Sequence, residues 1–124
     1  MKLATLLKYQ FIFFMMAIIY LILSYINILN DEPSLSPANP LASGALLCLY
    51  ASFLLTSHYE KLYRILMFAS VVGFGYGGVI YNLVSFYQHG TDGFSSSTSF
   101  FIAVTINLYG TFFNVIATSG RYKR

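Results

Sequence analysis

The chain alternates between long runs without charged residues and short clusters of them. Four runs contain no Asp, Glu, Lys or Arg, and they cover residues 9–30, 33–59, 65–91 and 93–120. Their lengths are 22, 27, 27 and 28 residues. Because a transmembrane helix needs about 20 largely apolar residues, each run is long enough to hold one.

Turn-forming residues set the ends of the predicted helices. Three prolines in NDEPSLSPANP prevent the first helix from continuing. The glycine-containing turn QHGTDG ends the third helix, and the hydroxyls of SSSTS can cap the fourth. The fold class that we expect is an all-α membrane protein, one domain of residues 1–124 with four transmembrane helices in an antiparallel bundle. The predicted helices cover about 8–30, 41–57, 62–87 and 96–119.

The composition agrees with a membrane protein. Of the 124 residues, 57% are hydrophobic and only 9% are charged. A soluble domain has about 25% charged residues, so this chain lacks the charge to cover a surface that faces water.

The placement of the charges predicts the orientation. If all four runs cross a membrane, the seven Lys and Arg residues lie on one side, and Asp31, Glu32 and Asp92 lie on the other. Cytoplasmic loops are the ones enriched in Lys and Arg. We therefore expect an integral protein of the bacterial cytoplasmic (inner) membrane with both termini cytoplasmic. Topology accounts for the net charge of +3, so no nucleic-acid partner is expected.

The stretch VVGFGYGGVIYN contains Gly73, Gly75 and Gly78 in the spacing G-x-G-x-x-G. In a dinucleotide-binding protein, these glycines form a tight turn between a strand and a helix. Here they lie within an apolar run, where a loop would leave backbone N–H and C=O groups without partners. We therefore interpret the stretch as helix, and the glycines as helix-packing residues or as the wall of a ligand groove.

Small residues recur at intervals of four on two of the predicted helices. Such faces allow close approach of helices in lipid. Because a short turn joins the second and third helices, we expect these two faces to contact each other. The predicted helix-packing residues are Gly44, Cys48 and Ser52 on the second helix and Ala69, Gly73 and Gly77 on the third.

Tyrosines lie near the centre of every predicted helix, and others, including Tyr63, lie in the aromatic belt at the interfaces. The central set predicts a polar layer, because buried phenol groups seek hydrogen-bond partners. This layer is either a hydrogen-bonded plug that joins the helices or the lining of a pocket for a lipophile. Its members are Tyr20, Tyr50, Tyr76, Asn107 and Tyr109.

Residues for catalysis or metal binding are not apparent in the predicted helix cores. No ionisable residue other than tyrosine and Cys48 is expected there, whereas proton and ion transport normally use such groups. The two histidines, His58 and His89, fall at opposite membrane faces, and Cys48 is the single cysteine. We therefore expect no catalytic residue, no metal site, no cofactor and no enzymatic activity.

Three functions remain open. The first is a non-catalytic accessory or scaffolding subunit that packs against a larger membrane complex or against itself. The second is a small oligomeric carrier or binder of a lipophilic molecule, such as a lipid or quinone, and the third is a pore-forming, holin-like role. In length and span count the chain resembles small four-helix bacterial membrane families such as the DoxX-like and GtrA-like proteins. That resemblance implies no particular site residue or activity.

Overall fold

A computed structural model describes residues 1–37, 39–90 and 93–124 of the chain. These residues form helices joined by short connections. The predicted external position of Asp92 lies outside the described residues. The helices are α1 (Leu3–Leu29), α2 (Pro40–Leu54), which continues as a 3₁₀ turn (Leu55–His58), α3 (Glu60–Ser70), a π-helical segment (Val71–Ile80), α4 (Tyr81–His89) and α5 (Ser97–Ser119).

Four helical spans are long and apolar enough to cross a membrane. The third of them, Glu60–His89, joins α3, the π-helical segment and α4 into one continuous helix. Large apolar side chains such as Leu41, Ile65 and Phe112 are more than half exposed on the outer surface. An outer surface of this kind suits contact with lipid. The predicted all-helical architecture with four potential spans is confirmed, and it is consistent with an integral membrane protein.

The first helix begins earlier than predicted, at Leu3 rather than near residue 8. The charge-free run marks the apolar part of the helix, whereas Lys8 is exposed and can remain helical outside it. The start is held by the chain's other end, because the Leu3 N–H donates to the Lys123 carbonyl at 2.7 Å and the Lys123 N–H donates to the Met1 carbonyl at 2.8 Å. Both chain ends therefore lie together.

Capping residues begin α2 and α5. Asn39 Oδ1 accepts the Leu41 N–H at 2.9 Å, and Pro40 occupies the first helical turn, where its missing N–H removes no helical hydrogen bond. The Ser99 N–H donates to Ser96 Oγ at 3.1 Å, which confirms the predicted serine cap of α5.

The helices are not packed equally against one another. α1 packs against α2 and α5, and the third span packs against α5 through both α3 and the π-helical segment. Gln10 of α1 contacts Asn114 of α5, Phe13 contacts Gly110, and Tyr20 contacts Ser99. Residue numbers on α5 therefore decrease as those on α1 increase. α2 packs against α3 but makes no comparable contact with the π-helical segment in the described part of the chain. This leaves a gap between α2 and the π-helical segment of the third span.

Candidate functional site

Buried polar side chains from all four spans meet in one half of the molecule. Each is at most 1% exposed. We call this group the polar core, and its members are Gln10 of α1, Tyr50 of α2, Tyr63 of α3 and Asn114 of α5.

Hydrogen bonds connect the polar core in a chain. Tyr50 Oη donates to Asn114 Oδ1 at 2.7 Å, and Gln10 Nε2 donates to the same oxygen at 3.0 Å. The Tyr63 hydroxyl donates to Gln10 Oε1. Hydrogen bonds between membrane helices contribute about 0.6 kcal/mol each on average. The polar core therefore links the four spans and contributes modestly to stability.

The four central tyrosines do not form the predicted layer. Tyr50 belongs to the polar core, but Tyr76 is 63% exposed and faces outward. Tyr109 packs against Phe113, with ring centroids 4.9 Å apart. Tyr20 lies in a separate cluster, where its hydroxyl is 2.9 Å from Ser99 Oγ. The prediction was wrong because depth in the membrane does not determine the rotation of a helix about its axis.

Asn107 and Tyr63 also differ from their predicted positions. Asn107 contacts none of the central tyrosines by a hydrogen bond in the described chain, and its Nδ2 donates to the Ala103 carbonyl at 2.9 Å. Tyr63 is fully buried rather than interfacial. Its ring packs edge to face with that of Tyr122, at a centroid distance of 6.1 Å, so the tail covers it.

The two small-residue faces do not meet. Apart from the neighbouring backbone of the same helix, no atom of the described residues lies within 4 Å of the position that a Cβ would take at Gly44, Gly73 or Gly77. Cys48, Ser52 and Ala69 are exposed. The expected contact within the chain is therefore wrong, because the π-helical segment packs against α5 instead of α2. A contact of these faces with another chain stays a prediction.

Three other glycines make close approaches that involve α5. A Cβ at Gly78 would overlap the Asn107 amide, and a Cβ at Gly110 would overlap the Phe13 ring. A Cβ at Gly75 would stand 3.3 Å from Thr111 Cγ2. Glycine at these positions brings α5 close to α1 and to the third span.

Gln10 is a member of the polar core that the sequence interpretation missed. It was overlooked because it carries no charge and lies near the end of an apolar run. Its position nevertheless indicated burial, because at helical spacing Gln10 shares a face with the apolar residues Leu6 and Phe13. All three side chains are fully buried.

A cavity of about 470 Å³ lies between the spans, in the half of the molecule away from the chain ends. Its floor is aromatic, since Phe74 lines it and packs against Phe13 and Tyr50, with ring centroids 5.6 Å away in both cases. Because Tyr50 belongs to the polar core, the Phe74 ring connects the cavity wall with the polar core. The wall of the cavity includes Tyr20, Leu46, Gly77, Tyr81, Asn82 and Asn107.

The cavity reaches the surface in the gap between α2 and the third span. Leu46, Gly77 and Tyr81 line it and are also exposed. The small-residue face of the third span thus borders the cavity, because Gly73 and Gly77 both belong to its wall. Without side chains, these glycines leave the gap open.

The connection between α1 and α2 closes the far end of the cavity. The Leu35 carbonyl accepts a hydrogen bond from Tyr20 Oη at 3.1 Å and another from the Ser99 hydroxyl. The Leu35 N–H donates to Ser24 Oγ at 3.1 Å. These bonds fix the connection to α1 and α5, and its Ser36 contributes to the cavity wall.

The lining of the cavity is apolar with a few neutral polar groups. No charged side chain is among the described residues that line it. Among all residues that the structure describes, no group of three or more His, Cys, Asp or Glu residues is arranged to hold a metal ion. The site is thus suited to binding a neutral molecule.

Comparison of the chain with protein-family models, curated proteins and solved structures gave no match. The functional proposal therefore depends on the geometry of the site.

Proposed function

We propose that this chain is a non-catalytic membrane protein that binds a lipophilic molecule in its cavity. The observation that carries the proposal is a cavity of about 470 Å³ that opens sideways between two apolar spans. Pockets for small molecules usually measure about 300–1,000 Å³ and combine an apolar wall with a few polar groups. A molecule dissolved in the bilayer could enter such a cavity without crossing water.

The proposed arrangement is a four-span antiparallel bundle with both termini in the cytoplasm. The paired chain ends and the clustering of Lys and Arg on the terminal side support this orientation. The cavity then lies in the external half of the membrane, and the polar core lies in the cytoplasmic half.

Purification tests the proposal. Wild-type protein and two variants, Gly77→Leu and Gly44→Leu, are purified in mild detergent, and their bound lipids are quantified by mass spectrometry. Gly77 lines the cavity, whereas Gly44 does not, and both have open space beside them. Both variants should therefore fold, but Gly77→Leu should fill the opening and lose the bound lipophile.

The control variant sharpens the result. We expect a stoichiometric lipophile with the wild type and with Gly44→Leu, and at least a tenfold loss with Gly77→Leu. Equal amounts of bound lipophile in the folded Gly77→Leu protein and the wild type would contradict binding in this cavity.

A second candidate is an accessory subunit or a self-associating protein. It is favoured by the exposed face of α2, where Gly44, Cys48 and Ser52 engage no helix of the described chain. Small residues of this kind suit contact with another helix. Loss of a stoichiometric partner chain from Gly44→Leu, with the bound lipids unchanged, would support this candidate.

A further inference from the structure

Two asparagine side chains meet at Gly78 in the wall of the cavity. The Asn107 amide packs directly against Gly78, from α5. Asn82 lies one turn after Gly78, and its Nδ2 donates to the Gly78 carbonyl at 2.9 Å. Both amides line the cavity.

The hydrogen bonds of these amides leave both amide oxygens without a donor in the described chain. Each Nδ2 donates to a carbonyl of its own helix, Gly78 for Asn82 and Ala103 for Asn107. Because a carbonyl oxygen only accepts, the amide nitrogen must be the atom that faces it. No residue of the described chain donates to either Oδ1, and neither oxygen is sealed from its surroundings. Two acceptors are therefore available to a ligand.

We infer that the lipophile bound in this cavity carries a hydroxyl group that donates a hydrogen bond to one of the two amide oxygens, Asn82 Oδ1 or Asn107 Oδ1. The inference depends on the proposed function, because it names the chemical class of the ligand in the same cavity. A hydroxyl can donate to an amide oxygen, whereas a quinone or an ester offers only acceptors and would leave both amide oxygens without a donor. The second hydrogen of each Nδ2 can serve either kind of ligand.

Other features of the lining agree with a neutral alcohol. Burial of an ionised head group without a partner is strongly unfavourable, and no described lining residue is charged. Ser43 and Ser85 also line the cavity, but a serine hydroxyl can donate or accept. The two serines therefore accommodate either kind of ligand, and only the two amide oxygens favour an alcohol over a ligand that can only accept.

The test compares a matched pair of probes, farnesol and farnesyl methyl ether, which differ in the hydroxyl hydrogen and one methyl group. Tritiated probe is measured in nanodiscs that hold the full-length protein and in empty nanodiscs. One neutral hydrogen bond contributes about 0.5–1.5 kcal/mol. Farnesol should therefore bind about two- to tenfold more tightly than the ether.

The variants Asn82→Leu and Asn107→Leu assign that preference to the amides. At least one of them should reduce the ratio of alcohol to ether affinity toward one. Thr105→Val, which removes a hydroxyl from an exposed position of α5 outside the cavity, should leave the ratio unchanged. The ratio is compared only between proteins whose circular dichroism shows native helix content, and an unchanged ratio in both asparagine variants would overturn the inference.

The outcomes separate this inference from the proposed function. Equal binding of alcohol and ether, both lost in Gly77→Leu, would overturn the hydroxyl inference and leave lipophile binding in place. Binding of neither probe would also overturn it. Equal amounts of co-purified lipid in Gly77→Leu and the wild type would instead contradict the proposed function itself.

Discussion

Two adjacent glycines, Gly77 and Gly78, offer a sharp test of the packing between the third span and α5. A Cβ at Gly78 would overlap the Asn107 amide, whereas a Cβ at Gly77 would meet no atom of the described chain within 4 Å beyond the neighbouring backbone of its own helix. The substitutions Gly77→Ala and Gly78→Ala therefore add the same methyl group to neighbouring positions in different surroundings.

The expected magnitude follows from two opposing terms. Replacing glycine by alanine within a helix stabilises it by about 0.5–1 kcal/mol, and this gain is shared by both variants. Overpacking a close contact destabilises a protein by about 1–3 kcal/mol, and this loss applies to Gly78→Ala alone. We therefore expect Gly78→Ala to be about 1–3 kcal/mol less stable than Gly77→Ala, which should match or exceed the wild type.

Reversible unfolding in dodecyl sulfate, followed by circular dichroism, measures the free energy of unfolding. Adding Asn107→Ala to Gly78→Ala should recover most of the loss, because it removes the atoms that the new methyl group overlaps. Equal stability of the two alanine variants, or no recovery with Asn107→Ala, would refute the close contact.

Two further predictions concern the polar core and the orientation. Gln10→Leu and Asn114→Leu should each destabilise by about 1–2 kcal/mol because each leaves a buried hydroxyl unpaired. The double variant should lose less stability than the sum of the two single losses, because both residues belong to one hydrogen-bond chain. Additive losses in the same unfolding assay would contradict this coupling. With Cys48→Ala as background, Glu32→Cys should react with an impermeant thiol reagent on intact cells and Ser119→Cys should not. Labelling of Ser119→Cys from outside would contradict the proposed orientation.

The number of potential spans was predictable from the sequence because it depends on where the charged residues lie along the chain. Charged residues are costly in an apolar interior, so the charge clusters mark the ends of apolar helices regardless of how those helices pack. The serine cap before α5 was predictable for a similar reason, since Ser96 accepts a hydrogen bond from a residue three positions later. Both features are local along the chain.

Helix pairing was not predictable, because it depends on the rotation of each helix. Spacing of four correctly placed Gly73 and Gly77 on one face, but the face borders the cavity instead of contacting α2. The π-helical segment contributes to this error. A π-helix closes hydrogen bonds over five residues, so the inward face moves from Ser70 to Gly75 and then Val79. A regular α-helical wheel does not reproduce that shift.

The polar core was only partly visible in the sequence. Tyr63 stands beside a charge cluster, which suggests an interface, but the tail that covers it is distant in sequence. The cavity was partly predictable, because the wall of a ligand groove was one of two interpretations of the glycine stretch, and Gly73, Gly77 and Gly78 line the cavity. Its position was not predictable, because it arises from a contact that is missing. No residue pattern within α2 or the third span shows that their outer parts fail to pack.

The hydrogen bond between Gln10 and Asn114 has a consequence for biosynthesis. The two residues are 104 positions apart, and ribosomes add about 5–20 residues per second. Gln10 is therefore made about 5–20 seconds before Asn114, and during that time it can pair with Tyr63 but not with Asn114. A nascent chain that stalls before α5 would leave the Gln10 amide nitrogen and the Tyr50 hydroxyl without their shared acceptor, Asn114 Oδ1, which distinguishes an unfinished molecule from a complete one.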